Sequence, residues 1–287
     1  MFIRNALGTH APGSGDIAMR LSNTIVAAFV GDGLDGNLAG VCILHDWLPD
    51  QAMQSIATLN RLPETAFVLL GKDRHKIRWF TPTTEVRLCG HATLAAAFVL
   101  RHQLGWSDQH FVFDTAFGQE LRVAAGDDFI TLDFPAGKLA PSASSLPADA
   151  LGITPDVTLL GESWVCVLSN EEAVRSFTPD FNAIGALAED GIIITAEGLD
   201  CDFVSRYFVP QSGIPEDPVT GYAHTLLVPY WAERLGREEL HARQVSKEGG
   251  ELFCRLKGDR VLLRGRGQLM SEGEVTVGDS DVLTVTV

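Results

Sequence analysis

The chain has 287 residues, about 1.9 domains at roughly 150 residues each. Its 46% hydrophobic and 21% charged residues exclude a disordered, collagen-like or disulfide-scaffold protein. It carries 22 basic against 37 acidic residues, net −15, spread along the chain with no acidic tail. Nucleic acid and membrane surfaces, which attract positive fields, are therefore not expected as partners, and an anionic substrate would need local donors.

Five cysteines (Cys42, Cys89, Cys166, Cys201, Cys254) form no CxxC pair and no zinc-ligand spacing, which fits free thiols in a reducing compartment and makes the cytoplasm the expected location. The most hydrophobic windows, Thr24–Val30 and Leu94–Leu100, fall far short of the ~20 apolar residues that cross a bilayer. The first of them begins only after a Gly/Pro/Ser segment (Ala11–Gly15), so residues 1–23 read as a flexible N-terminal extension rather than a secretory signal.

In chain order, β-branched and aromatic runs predict strands over Asn23–Val30, Val41–Leu44, Ala66–Leu70, Lys76–Phe80, Phe111–Phe113 and Ile130–Phe134. Asp50–Asn60 reads as an amphipathic helix with Met53, Ile56, Ala57 and Leu59 near one face. His91–Gly105 is a different kind of helix, apolar on every face for more than two turns and stopped by glycine. A helix apolar all round has to be buried all round. Ala223–Gly236 has the same character, with Pro229 expected to bend it.

The two apolar helices belong to an internal repeat. VCIL (Val41–Leu44) recurs as VCVL (Val165–Leu168), RWFTP (Arg78–Pro82) as RYFVP (Arg206–Pro210), and CGHA (Cys89–Ala92) as TGYA (Thr220–Ala223). Leu104-Gly105 recurs as Leu235-Gly236, and Gly118, Gly126 and Asp127 recur as Gly250, Gly258 and Asp259. Five matches in one order at a nearly constant separation indicate two homologous halves. They are expected over 24–140 and 141–287, joined within the Ala/Ser/Pro-rich stretch Ala136–Leu151, whose other reading is a long surface loop in a single domain. Each half reads as a strongly curved sheet wrapped around one central helix, an α+β architecture.

Candidate chemistry gathers at the helix starts. Cys89-Gly90-His91 and Thr220-Gly221-Tyr222 open the two apolar helices, whose first-turn N–H groups and dipoles suit a carboxylate. Related by pseudo-twofold symmetry, they are expected to face each other across a cleft between the halves; alternatively the glycines only permit helix–sheet packing. Glu64, on a loop before an apolar strand, is a candidate general acid/base or a turn residue. Asp217, before Pro218, is a candidate of the same kind or a turn residue. His91 is an anion donor or a helix cap, and Cys89 a nucleophile or base whose counterpart is Thr220.

The motifs GNLAGV (Gly36–Val41), LPETAFV (Leu62–Val68), IRWFTPTTEVRLCGHATLAAAFVL (Ile77–Leu100) and EDPVTGYAH (Glu216–His224) resemble the PhzF-like phenazine-biosynthesis family, which shares its fold with diaminopimelate epimerase and proline racemase. The resemblance covers nearly all of Thr24–Val287. It implies a duplicated fold with the active site between the domains and no cofactor. It also implies a proton-shifting isomerase in which Glu64 is the general acid/base, His91 and Asp217 match the GH and DPxTG motifs, and Gly90 and Gly221 hold the substrate. The chain departs from the family pattern at Pro63 (usually Ser), Ala27 (Asp), Leu38 (Pro) and Tyr222 (Ser). A phenol at 222 would fill much of the pocket, which argues against the phenazine precursor as substrate.

The expected function is thus a cofactor-independent, metal-free isomerase acting on a small carboxylate-bearing metabolite, with Cys89, Gly90, Thr220, Gly221 and Tyr222 lining the substrate and a homodimer left open. Two other readings stand beside it. One is a dehydratase or epimerase using Cys89 and Thr220, and the other is a noncatalytic binding protein that kept the fold.

Overall fold

The computed structural model describes residues 19–187, 191–277 and 283–286. By their contacts they fall into two compact units, one drawn from Met1–Ala28, Leu38–Leu132 and Arg266–Val287, the other from Phe29–Asn37 and Asp133–Gly265. The division is therefore not a single cut in Ala136–Leu151. That stretch lies wholly in the second unit, and the unit boundaries fall within or at the ends of strands. Of the expected N-terminal extension, residues 1–18 lie outside the described residues, and residues 19–23 belong to the first strand, β1 (Met19–Val30).

In the first unit, β2 (Asn37–Leu44) leads through α1 (Asp50–Asn60) to β3 (Glu64–Leu69), which pairs parallel to it. Next come β4 (His75–Phe80), antiparallel to β3, and the two-residue β5 (Glu85–Val86), antiparallel to β4. After α2 (Gly90–Phe98) the chain adds β6 (His110–Thr115) parallel to β4, then β7 (Glu120–Ala125) and β8 (Ile130–Pro135).

The second unit repeats this order. After β9 (Ala140–Pro141), α3 (Leu146–Leu151) and β10 (Val157–Leu160), β11 (Trp164–Val167) leads through α4 (Glu171–Arg175) and α5 (Phe181–Gly185) to β12 (Ile192–Glu197), parallel to β11. Antiparallel β13 (Phe203–Val209) and β14 (Ile214–Asp217) precede α6 (Gly221–Leu235). Then come β15 (Glu239–Gln244), parallel to β13, and antiparallel β16 (Gly250–Lys257) and β17 (Arg260–Val277). A final β18 (Leu283–Thr286) pairs with the end of β17 in the first unit. Each unit is a strongly curved mixed sheet around one central helix.

The central helices are buried because no face of them is polar enough to meet water. In α2 every residue from His91 to Ala97 is buried, and alanines at 92, 95, 96 and 97 let the sheet close on it. Its last turn differs from expectation. Instead of an α-helix to Gly105, the chain widens into a π-turn over Val99–Gln103, with Leu104 N–H donating to Val99 C=O at 3.0 Å, before Gly105 ends it at positive φ.

Pro229 lies inside α6, as the sequence indicates. A proline supplies no N–H to the carbonyl four residues earlier, and here the Gly137 N–H takes that carbonyl, Thr225 C=O, at 3.0 Å. A side chain at 137 would press against Leu226 Cδ2 at 2.5 Å and Thr225 O at 3.3 Å, so a larger residue there would force Leu226 to shift. In α1 the buried face is Ala52, Met53, Ile56 and Ala57. Leu59, expected on that face, sits at its margin in the last turn and is 40% exposed. Asn60 takes its place, donating to Thr65 Oγ1 at 2.9 Å and accepting from Asn23 at 2.8 Å.

The repeat is visible in side chains as well as topology. Arg78 holds Glu85 through two bonds of 2.7 Å and lies 5.2 Å from the Phe80 ring. Arg206 holds Glu216 through bonds of 2.7 and 2.8 Å and lies 4.9 Å from the Phe208 ring. In each unit this bidentate pair pins the short strand before the central helix. Arg206 also donates to the Val174 and Phe177 carbonyls and is 9% exposed. Arg206→Met leaves the half-buried Glu216 and these carbonyls without their donor, and is expected to cost about 3–5 kcal/mol. Urea unfolding measures this, and a loss under about 1 kcal/mol would mean that the pair is effectively solvated.

Candidate active site

The first unit brings Glu64, Cys89, Gly90 and His91 together. Glu64 is the first residue of β3, reached by a sharp exit from α1 in which Arg61 takes a left-handed conformation and caps the helix through Ala57 C=O. Asn60 fixes the neighbouring Thr65 from the same turn, and Gly40 makes room, since a side chain there would meet Asn60 Nδ2 at 2.7 Å and Thr65 Oγ1 at 3.0 Å. Glu64 sits opposite Ala39 of β2, with its side chain 12% exposed.

Cys89 caps α2 in extended conformation, but its side chain does not bond to the helix's own N–H groups. Its carbonyl is held from below by Thr93 Oγ1 at 2.6 Å. His91 points its Nε2 to 3.2 Å from Glu64 Oε2 and its Nδ1 to 3.5 Å from Cys89 Sγ. Burial lowers the His91 pKa to about 4, against a hydrogen bond to the Leu38 backbone that favours the charged form, so the ring is neutral near pH 7. A carboxylate, a thiol and an imidazole thus lie within 4.8 Å of one another. These are donor types that also bind divalent transition metals.

The second unit brings Asp217, Thr220, Gly221 and Tyr222 together. Asp217 ends β14 opposite Tyr207, and Thr220 caps α6 in extended conformation. Thr220 does not cap its own helix by side chain; its Oγ1 donates to Asp217 Oδ2 instead. The other Asp217 oxygen accepts from Asn37 Nδ2 at 2.8 Å. Gln244 organises the corner: its Oε1 accepts the Thr220 N–H at 3.0 Å, and its Nε2 donates to Asp217 C=O at 2.6 Å and to Thr220 Oγ1 at 3.1 Å. His224 donates from Nδ1 to Thr220 C=O at 2.7 Å, the same support that Thr93 gives Cys89. Burial raises the Asp217 pKa to about 6, overcoming the two hydrogen bonds that favour its charge. Tyr222, the counterpart of His91, has its hydroxyl 3.3 Å from Ser163 Oγ, which is also 3.3 Å from Tyr207 OH. The phenol is therefore held by a buried hydroxyl chain.

Asn37, Gln244, Ser163 and Tyr207 were not among the sequence candidates. Asn37 does lie in the quoted GNLAGV motif, and its complete burial with a carboxylate partner explains an asparagine there. Gln244 ends β15 on the same face as the buried Leu240 and Ala242, and only the fold shows that it meets the helix start.

Residues 26–273 match the family model described as phenazine biosynthesis-like protein. An uncharacterized isomerase of Pseudomonas aeruginosa is 46% identical over 260 residues, covering 90% of this chain and 99% of that protein. The crystal structure of a PhzF-family phenazine biosynthesis protein from Enterococcus faecalis is similar with a TM-score of 0.84 and 42% identity, covering 89% of this chain and 99% of that one. A hydroxyproline epimerase from Agrobacterium vitis shares the fold alone, with a TM-score of 0.57 and 13% identity over 91% of this chain and 93% of that one. With the fold, the duplicated helix starts and these likenesses together, the chain belongs to the PhzF-type phenazine biosynthesis-like family of isomerases.

Proposed function

We propose that the protein is a cofactor-independent isomerase that moves a proton between two carbons of a small carboxylate-bearing metabolite, with Glu64 taking the proton and returning it. The observation that carries this is the 3.2 Å contact of Glu64 with a buried His91. A neutral imidazole orients a carboxylate without supplying a fixed counter-charge, so the carboxylate remains available as a base. With its side chain only 12% exposed, the acid formed after proton capture is shielded from exchange with bulk water. The relatives named isomerases support the reaction class.

The first turn of each central helix, taken by itself, suits an anion such as a carboxylate, because neither Cys89 nor Thr220 uses its side chain to cap it. This also answers how a chain of net charge −15 holds an anion. Within the second unit, Asp217, ionised above about pH 6, and Tyr222, held by Ser163, flank the start of α6. Five free cysteines and the acidic surface fit a cytoplasmic enzyme with no nucleic-acid or membrane partner. Among the described residues no helix is long and apolar enough to cross a membrane.

Glu64→Gln keeps the shape but cannot carry the proton. It is expected to fold and bind ligand normally while losing about 10²–10⁴-fold in rate, read by NMR as conversion of substrate to its isomer across a panel of small carboxylates. Near-normal turnover would move the proton to another group.

Asp217 gives a pH test. Its folded pKa of about 6 lies above the ordinary 3.8, so its contribution to stability is fully present below pH 3.8 and is lost as pH rises through 6. At about 1.4 kcal/mol per unit, wild type should lose about 3 kcal/mol relative to Asp217→Asn between pH 3.5 and 7.5 in urea unfolding. A difference that does not change with pH would mean that this carboxylate ionises normally.

A further inference from the structure

Glu64, Cys89 and His91 have a second capability that proton transfer does not use. Glu64 Oε2 and His91 Nε2 are 3.2 Å apart, His91 Nε2 and Cys89 Sγ are 4.0 Å apart, and all three donor atoms lie within 4.8 Å. Zinc bonds of about 2.0–2.3 Å to oxygen, nitrogen and sulfur at tetrahedral angles put donor atoms about 3.3–3.7 Å from one another. One separation already matches, and the others need side-chain movements of under about 1 Å.

The donors come from a rigid frame. Glu64 opens β3 beside the pinned Thr65, and Cys89 and His91 share the first turn of a buried helix whose cap carbonyl is held by Thr93. Thiolate, imidazole and one carboxylate form a set that selects zinc-like ions over magnesium or calcium, which prefer oxygen alone. Three protein ligands leave a fourth position for water.

We infer that Glu64, Cys89 and His91 form an inhibitory site for a divalent transition metal of the Zn²⁺ class. Binding deprotonates the Cys89 thiol: the S–H proton leaves to solvent as the sulfur–metal bond forms, with no change of oxidation state. The metal also ties up the Glu64 carboxylate, so in the proposed function, on which the inhibition rests, it stops proton transfer. No sequence spacing announces such a site, because Glu64 lies far upstream of the Cys89-x-His91 pair.

Co²⁺ titration of the chelator-stripped full-length protein tests the binding without any activity readout. Wild type is expected to take up one equivalent with a thiolate-to-cobalt absorption band in the near ultraviolet, and Zn²⁺ should displace it. Cys89→Ser should lose the band and bind at least about tenfold more weakly, while Cys201→Ser, which removes a partly exposed thiol elsewhere, should keep both. Absence of saturable Co²⁺ uptake by wild type, or an unchanged band in Cys89→Ser, overturns the site. The Glu64→Gln rate, measured in chelator on metal-free protein, stands apart from either result, so failure of the metal site and failure of the proton-transfer reading are told apart.

Discussion

Two helices with no polar side impose the architecture. A helix of ordinary amphipathic pattern can lie on one face of a sheet, but α2 and α6 bury nearly every residue of their first two turns, and only a sheet that bends around them removes that surface from water. The cost falls at the ends, where a helix carries N–H groups that nothing inside it can satisfy. In both units the cap residue's carbonyl is braced from one turn below, by Thr93 and by His224, while its side chain is turned elsewhere. The same enclosure that stabilises the core thus holds a polar helix start in a fixed place.

The duplication supplied one frame twice, and the polar residues at the two helix starts then diverged. The Arg78–Glu85 and Arg206–Glu216 pairs and their neighbouring phenylalanines remain alike. Matching the strand registers through Phe80 and Phe208 aligns Glu64 with Gly191 and Val86 with Asp217. Cys89 aligns with Thr220, and His91 with Tyr222. Each unit therefore has one carboxylate that the other lacks. Asp217 is held by Thr220 and Asn37 although burial pushes its pKa to about 6.

Much of this was legible in the sequence because it depends on local pattern. The bounds of α1, the apolar character of both central helices, the glycines at their starts and the repeat itself all follow from periodicity and spacing. What escaped was set by distant partners. Asn37 is explained only by Asp217, and Gln244 only by a helix start it meets from β15. Leu59 read as part of a buried stripe, but the buried face ends at Ala57, two positions before it, and Asn60 does the work of joining α1 to β3. The π-turn after α2 has no side-chain signature, since one extra residue in a turn changes the hydrogen bonds without changing the apolar pattern.

The discontinuous make-up of the units has a bearing on how the chain acquires its shape during synthesis. The first unit contains Leu38–Leu132 but also Arg266–Val287, so it cannot be completed when its own central helix leaves the ribosome. The second unit, from Phe29–Asn37 and Asp133–Gly265, has all its strands in hand earlier. The half made first is therefore the half finished last. Until the final strands arrive, the most apolar helix of the chain is held by an unfinished wall, and it is this interval that exposes the nascent protein to aggregation.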